Sequence, residues 1–234
     1  MYKRVILKLS GETLAPENRS ASFDGARVDR AAQAIVALHD MGVQVGVVMG
    51  GGNIWRGRFT DAMNPVNADQ MGMLATIINA LAVQDAIVRL GGKAAVLTAQ
   101  EMHRFARLYT RDAALELMES GHVVLLAGGT LNPFFTTDTA AALRAAELGA
   151  DAVFKGTTVE GVYDSDPRTN PDAKLIKDIT YREAIDRGLK VMDLTAFMLC
   201  MEQRIPEIRV FSMDDLDNIL RVASGEKLGT VVHN

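Results

Sequence analysis

The run Gly128-Gly129-Thr130-Leu131-Asn132-Pro133-Phe134-Phe135-Thr136-Thr137-Asp138 holds the densest set of chemically useful groups in the chain. Two glycines let the backbone turn and come close to a ligand. Thr136 and Thr137 offer hydroxyls and amides just before an alanine-rich helical pattern, Ala140 to Leu148, and a helix start is where anions bind. Asp138 sets a carboxylate beside that anion site, an odd neighbour unless a metal or another cation is also present. A donor-rich loop with one added carboxylate suits phosphate chemistry.

Three other strand-to-loop junctions carry similar groups. Lys8 interrupts the apolar run Val5 to Leu9 and is followed by Ser10 and Gly11. A charge in a buried strand is costly unless it is paired or binds an anion, whereas a lysine on an edge strand simply guards that edge. Taken alone, Lys8 fits both readings. Gly50-Gly51-Gly52-Asn53 precedes Arg56 and Gly57, which suits an amide nest for phosphate with a guanidinium clamp. Three glycines exceed what a tight turn needs, so the anion site is the preferred reading. Lys155, followed by Gly156-Thr157-Thr158, repeats the Lys8 arrangement. Farther on, Tyr163 could flank a base and Asp166 could accept from an amine, although a lone Tyr-x-x-Asp is more often loop packing. Asp69 and Asp193, each beside apolar residues, read as helix caps, and Trp55, Met71 and Met73 as packing.

Neither glycine cluster has P-loop or dinucleotide-fold spacing. There is no Ser-His-Asp order, and the four histidines lack metal-ligand spacing. Two strand-end lysines, an arginine, two glycine nests and several carboxylates fit phosphoryl transfer, where the protein mainly positions groups and neutralises charge.

The elements that must hold these groups follow an alternating pattern. Strands are expected at Val5–Leu9, Val43–Met49, Ala94–Leu97, Val123–Ala127, Ala152–Lys155, Arg209–Phe211 and Thr230–His233. Most are continuous apolar runs, as in strands covered on both faces. Val28, Ala31, Ala32, Ile35 and Leu38 form one helical stripe, and Leu74, Ile77, Ile78, Leu81 and Val88 belong to a longer one ended by Gly91 and Gly92. Thr180-x-x-Glu183 and Ser212-x-x-Asp215 read as capping boxes. Ala15 to Gly25 reads as a mobile loop or hairpin, and Asp164 to Lys174, with two prolines, as a segment over the sheet edge. The pattern predicts an α/β protein, an αβα sandwich with a mostly parallel central sheet.

At 234 residues the chain can build a large core, and one domain with two lobes is expected rather than two separable domains. A net charge of −4 argues against a broad grip on nucleic acid or anionic lipid, so phosphate binding must be local. The single cysteine, Cys200, excludes an internal disulfide and suits a reducing compartment. Asn79, Gln84 and Asp85 interrupt the most apolar helix, from which no membrane span and a cytoplasmic location are expected.

Several ordered segments resemble the bacterial uridylate (UMP) kinases, a branch of the amino acid kinase family. They are Lys8-Leu9-Ser10-Gly11-Glu12, Val47 to Asn53, Met71 to Thr76, Asn132 to Asp138, and Lys190-Val191-Met192-Asp193-Leu194. The similarity runs over essentially the whole chain. It implies transfer of the ATP γ-phosphate to UMP in pyrimidine nucleotide synthesis, with Mg²⁺ carried on ATP. It also implies a homohexamer, a fold unrelated to the P-loop kinases, and UTP as a candidate feedback inhibitor. Residues 1–234 would form one domain, the N-terminal part mainly serving UMP and phosphate and the C-terminal part mainly ATP. By position, Lys8, Leu9, Ser10, Gly11, Gly52 and Arg56 would meet the ATP phosphates, and Thr157, Tyr163 and Asp166 the adenosine. Gly51, Asp69 and the run Thr130, Leu131, Asn132, Pro133, Phe134, Phe135, Thr136, Thr137 would hold UMP. Lys8 and Asp193 would form the catalytic core, joined by Lys155 and Asp138. Relatives carry a glycine-rich segment after the first strand that is associated with GTP activation. Here Leu14 to Phe23 contains no glycine, which puts that activation in doubt.

Two rivals remain at this stage. A kinase of the same superfamily acting on a carboxylate or carbamate would need a cationic pocket, and Asp69 would repel such an acceptor. A nucleotide-binding regulatory protein without turnover would not need both Lys8 and Asp193.

Overall fold

The computed structural model describes residues 2–56, 63–189 and 191–234, so Gly57 and Lys190 lie outside the described residues. A nine-stranded sheet runs in the order β4-β3-β5-β2-β1-β6-β10-β11-β9. Its members are β1 (Arg4–Leu9), β2 (Gln44–Met49), β3 (Ala94–Thr98), β4 (Arg107–Leu108), β5 (Val123–Ala127), β6 (Ala152–Thr157), β9 (Asp178–Thr180), β10 (Glu207–Ser212) and β11 (Thr230–His233). Among the described residues β10–β11 is the one antiparallel pair of this sheet. β7 (Val162–Tyr163) and β8 (Leu175–Ile176) form a separate antiparallel ribbon. The Asp164 to Lys174 segment is therefore the tip of a hairpin. Its base is tied to the sheet by the Val162 amide, which donates to Thr230 Oγ1 at 2.8 Å.

The helices are α1 (Gly25–Asp40), α2 (Pro65–Arg89), α3 (Arg111–Glu119), α4 (Thr137–Leu148), α5 (Tyr181–Asp186), α6 (Leu194–Glu202) and α7 (Asn218–Ala223). Side chains alternate across a strand, and β1 shows what this does. Val5, Leu7 and Leu9 join the core that includes residues of α1, α2 and α7. Ile6 joins the opposite core, with residues of α3, α4, α5 and α6. Both faces are thus covered, as the continuous apolar strands require. The same alternation puts Lys8 on the Ile6 side, toward α4.

Some expectations change here. Thr180 and Glu183 do form a capping box at the start of α5. Ser212 does not start a helix. Its hydroxyl accepts from the Asp214 amide in a turn, and α7 begins only at Asn218. Ala15 to Asp24 is a loop without strands, preceded by a 3₁₀ turn at Gly11–Leu14. In α2 the stripe is displaced. Ile77 is buried as expected, together with Ala75, Thr76, Asn79, Ala80, Val83 and Ile87, whereas Leu74 (50% exposed), Ile78 (48%) and Val88 (55%) face outward. The helix is apolar nearly all round, so periodicity alone could not choose its buried side. Nor do Asn79, Gln84 and Asp85 interrupt it. By length and composition α2 could cross a membrane, yet it packs on α1, β3 and β5.

Candidate active site

β1 lies between β2 and β6, and the chain winds outward from it in both directions, which makes its carboxyl end a topological switch point. Ligands of open parallel sheets gather there. Register pairs Lys8 of β1 with Lys155 of β6, two ammonium groups side by side at the strand ends. Such a pair is repulsive unless an anion sits between them. Asp138 supplies it from the first turn of α4: Lys8 Nζ lies 3.0 Å from Oδ1, and Lys155 Nζ donates to Oδ2. The cation that Asp138 demanded is therefore a pair of lysines. Lys8 is not an edge guard, because β1 is central.

Burial alone would raise the Asp138 carboxyl, but the charges of Lys8 and Lys155 hold it below the usual carboxylate range. Burial, then the neighbouring Lys8 charge, pushes Lys155 down to about 8 against the pull of Asp138. With all three groups ionised the cluster carries one excess positive charge, facing the start of α4. That end already favours anions through its free amides.

Asp193 is the N-cap of α6, its carboxylate accepting from the Ala196 amide at 2.8 Å. It also accepts from the Thr136 hydroxyl and, at 2.9 Å, from the Thr139 hydroxyl. The cap reading is correct for Asp193, which fixes the first turn of α4 and makes no ion pair with either lysine. Thr136 caps α4, accepting from the Asp138 amide at 3.0 Å. A cavity of about 550 Å³ opens onto Lys8, Asp138 and Asp193.

Asp69 is not a cap. It sits inside α2, and its carboxylate accepts from the Phe134 amide at 2.6 Å. This bond pins the loop Thr130 to Phe135, whose backbone is unusual. Leu131 and Phe134 have φ of 64° and 71°, a region that costs non-glycine residues energy. Phe134 is 73% exposed, and Leu131 and Phe135 are also exposed. Strained backbone carrying exposed apolar side chains marks a surface shaped for contact. Gly128 and Gly129 take φ of 83° and 62° without that strain. A cavity of about 780 Å³ is walled by this loop, Gly51, Trp55, Asp69 and Thr76. Trp55 is only partly buried, its Nε1 donating to the Ala68 carbonyl at 2.9 Å, and Met71 is exposed. Neither is simple core packing.

On the far side of the glycine turn lies a cavity of about 740 Å³, bordered by Ser10, Glu12, Gly52, Arg56, Thr157 and Met213. Gly51 is needed for proximity: a Cβ there would lie 2.8 Å from Ala75 Cβ and from the Gly72 carbonyl. Arg56 is not a bare clamp, since it pairs with Glu12 and its Nε donates to the Gly52 carbonyl at 3.0 Å. Tyr163 and Asp166 stand in the β7–β8 hairpin, outside this wall. The Tyr163 hydroxyl bonds Glu160 at 3.1 Å, and Asp166 accepts from the Arg168 amide at 2.9 Å. The structure thus brings Lys8, Lys155, Asp138, Thr136 and Asp193 together, with Asp69 and Gly51 in one adjoining cavity, Ser10 and Thr157 in another, and Gly52 and Arg56 bordering both.

Sequence reading missed Glu12, Thr76, Asn79 and Arg144. Thr76 Oγ1 accepts from the buried Gly128 amide at 2.9 Å. Arg144 lies 3.8 Å over the Tyr109 ring and pairs with Glu147 at 2.6 Å. Most of their partners are backbone groups or side chains distant in sequence, such as Arg56 for Glu12 and Asn53 for Asn79, which sequence spacing does not reveal. Cys200 is buried, its thiol pushed up to about 12 by that burial.

A cationic strand-end cluster at a helix start, opening onto a cavity and without a P-loop, defines a phosphotransferase site. The chain belongs to the amino acid kinase family, which matches residues 3–212. It is 50% identical to a uridylate kinase of Bacteroides thetaiotaomicron, the match covering 100% of this chain and 99% of that protein. A uridylate kinase of Phocaeicola vulgatus is 49% identical with the same coverage. In three dimensions it is similar to a UMP kinase from Bacillus anthracis, with a TM-score of 0.95 at 33% identity over 99% of this chain and 96% of the other. A UMP kinase from Ureaplasma parvum gives 0.93 at 35% identity over the full length of both.

Proposed function

We propose that this chain transfers the γ-phosphate of ATP to UMP, giving ADP and UDP, as a step in pyrimidine nucleotide synthesis in the cytoplasm. The carrying observation is the Lys8–Asp138–Lys155 cluster, which opens onto a cavity of its own, in a chain 50% identical to a uridylate kinase. ATP enters beside Ser10, Gly52 and Thr157, with its phosphates toward Lys8. UMP enters beside Gly51 and Asp69, under the Thr130 to Thr137 loop.

Bringing two phosphates together concentrates negative charge, and fixed cations in a dry site offset it more strongly than in water. Lys8 and Lys155 are those cations, held by Asp138 until phosphate arrives. Asp193 orients the α4 start through Thr136 and Thr139. Arg56 joins the phosphates once Glu12 releases it. Mg²⁺ is part of the substrate, riding on ATP. Among the described residues no cluster of three metal-ligating side chains exists, and Asp138 is already taken by two lysines. That donor set suits a metal held mainly by phosphate oxygens.

The chain works as one domain, the large sheet spanning both the UMP-facing and ATP-facing parts. It associates with copies of itself, up to a hexamer, through the exposed apolar side of α2. UTP binding at the acceptor cavity would make it a feedback inhibitor. The Tyr163 and Asp166 contacts to adenosine require the hairpin to approach the bound nucleotide.

Trp55 is the single tryptophan and borders the acceptor cavity. Its fluorescence should respond saturably to UMP and not to glutamate, with UDP formed when MgATP is added. A response to glutamate with no response to UMP would favour the carboxylate-kinase alternative.

A further inference from the structure

Asn79 has no exposed surface although it sits in the most apolar helix of the chain. Its Nδ2 donates to the Gly50 carbonyl at 2.7 Å and to Asn53 Oδ1 at 2.8 Å. Its Oδ1 accepts from Asn53 Nδ2 at 3.0 Å, and that same Nδ2 donates to the Ser22 carbonyl at 2.8 Å. Carbonyls only accept, so Gly50 and Ser22 fix the orientation of both amides. A Cβ on Gly11 would lie 2.9 Å from Asn79 Nδ2, so the turn after β1 rests directly on this pair.

The pair therefore joins segments that belong to different cavities. Ser22 and Asn53 itself line the ATP-side cavity, Gly50 begins the glycine turn, and Asn79 belongs to the helix that carries Asp69 and Thr76. A buried amide left without a partner is costly, so these segments shift together or not at all.

We propose that Asn53 and Asn79 are a positioning pair that ties the donor pocket to the acceptor helix, so that nucleotide bound beside Ser10 and Thr157 orders α2 around Asp69 and Thr76. This rests on the assignment of the two cavities to ATP and UMP. Binding in either cavity then tightens binding in the other by the same factor.

Hydrogen exchange on the full chain tests it, with and without the non-hydrolysable analogue AMPPNP and Mg²⁺. In the parent protein AMPPNP slows exchange of α2 amides between Ala68 and Asn79 at least about fivefold, the lower range of such couplings. Asn53→Ala, at a partly exposed position, removes that protection while AMPPNP still protects the donor loop. Asn53→Asp does the same, because it keeps an acceptor for Asn79 Nδ2 and loses the donor to both the Ser22 carbonyl and Asn79 Oδ1. In steady-state assays both variants raise the KM for UMP more than that for MgATP, which a purely local role of Asn53 would not do. Unchanged α2 protection in folded Asn53→Ala, or none in the parent, overturns the proposal. Failure of the parent to make UDP would instead remove the acceptor assignment, while the AMPPNP measurement, which needs no acceptor, still judges the pair.

Discussion

Replacing Asp138 by asparagine removes the charge that lets Lys8 and Lys155 stand side by side. The Lys8–Asp138 pair is 3.0 Å apart with both side chains nearly buried. At an effective dielectric of about 20, that separation is worth roughly 5–6 kcal/mol of gross attraction. Burial consumes much of it, and breaking one partner of a buried pair typically costs about 3–5 kcal/mol. Asp138→Asn should therefore lose about that much stability in urea unfolding at pH 7. Without Asp138 the main influence holding Lys155 up disappears, so its pKa falls further below about 8. The alkaline limb of kcat/KM for MgATP, which reports the free enzyme, should move to lower pH. Because a polyphosphate can stand in for the lost carboxylate, MgATP should raise the melting temperature of Asp138→Asn more than that of the parent. A variant with parental stability and an unmoved alkaline limb would show that the lysines do not depend on Asp138.

Lys8→Met should reduce kcat by ~10²–10³ while the KM for UMP changes little, as expected for loss of a positioned group that acts on developing charge. Should Lys155→Met lose turnover and Lys8→Met keep it, the two roles are reversed. Asp69→Asn should weaken UMP more than ATP and narrow the preference over 2′-deoxy-UMP, since a carboxylate accepts from both ribose hydroxyls; an unchanged ratio would leave Asp69 only its bond to the Phe134 amide. For Lys155, folding lowers the pKa from 10.5 to about 8, so the protonated lysine costs the fold stability in full below about 8. Between about 8 and 10.5 the unfolded chain binds more protons and this contribution makes stability rise with pH. The rise should be missing from Lys155→Met in paired urea titrations across that window.

How much could be read from sequence depended on whether a signal was local. Val123–Ala127 was legible to the residue, because a continuous apolar run between turn residues admits few alternatives, and Thr230–His233 because a β-branched run follows Gly229. β4, β7, β8 and β9 were not, being two or three residues long and defined by their partners. The buried side of α2 escaped because leucines and isoleucines occur on both sides of it. At the site, Lys8, Lys155 and Asp138 could each be suspected as a charge in the wrong surroundings. That they form one cluster depends on the β1–β6 register and on where α4 begins, both non-local. Asp69 could not be separated from a cap, because its partner, the Phe134 amide, lies 65 residues away.

The measurement closest to the main conclusion is an acceptor screen with purified protein and MgATP, separating products for UMP, CMP, AMP, GMP and glutamate. UDP should form with a large preference over CDP, since a pocket built on specific hydrogen bonds leaves groups unpaired with the wrong base. Phosphorylation of glutamate, or turnover of CMP equal to that of UMP, would contradict the assignment of the cavity at Asp69 to uridylate.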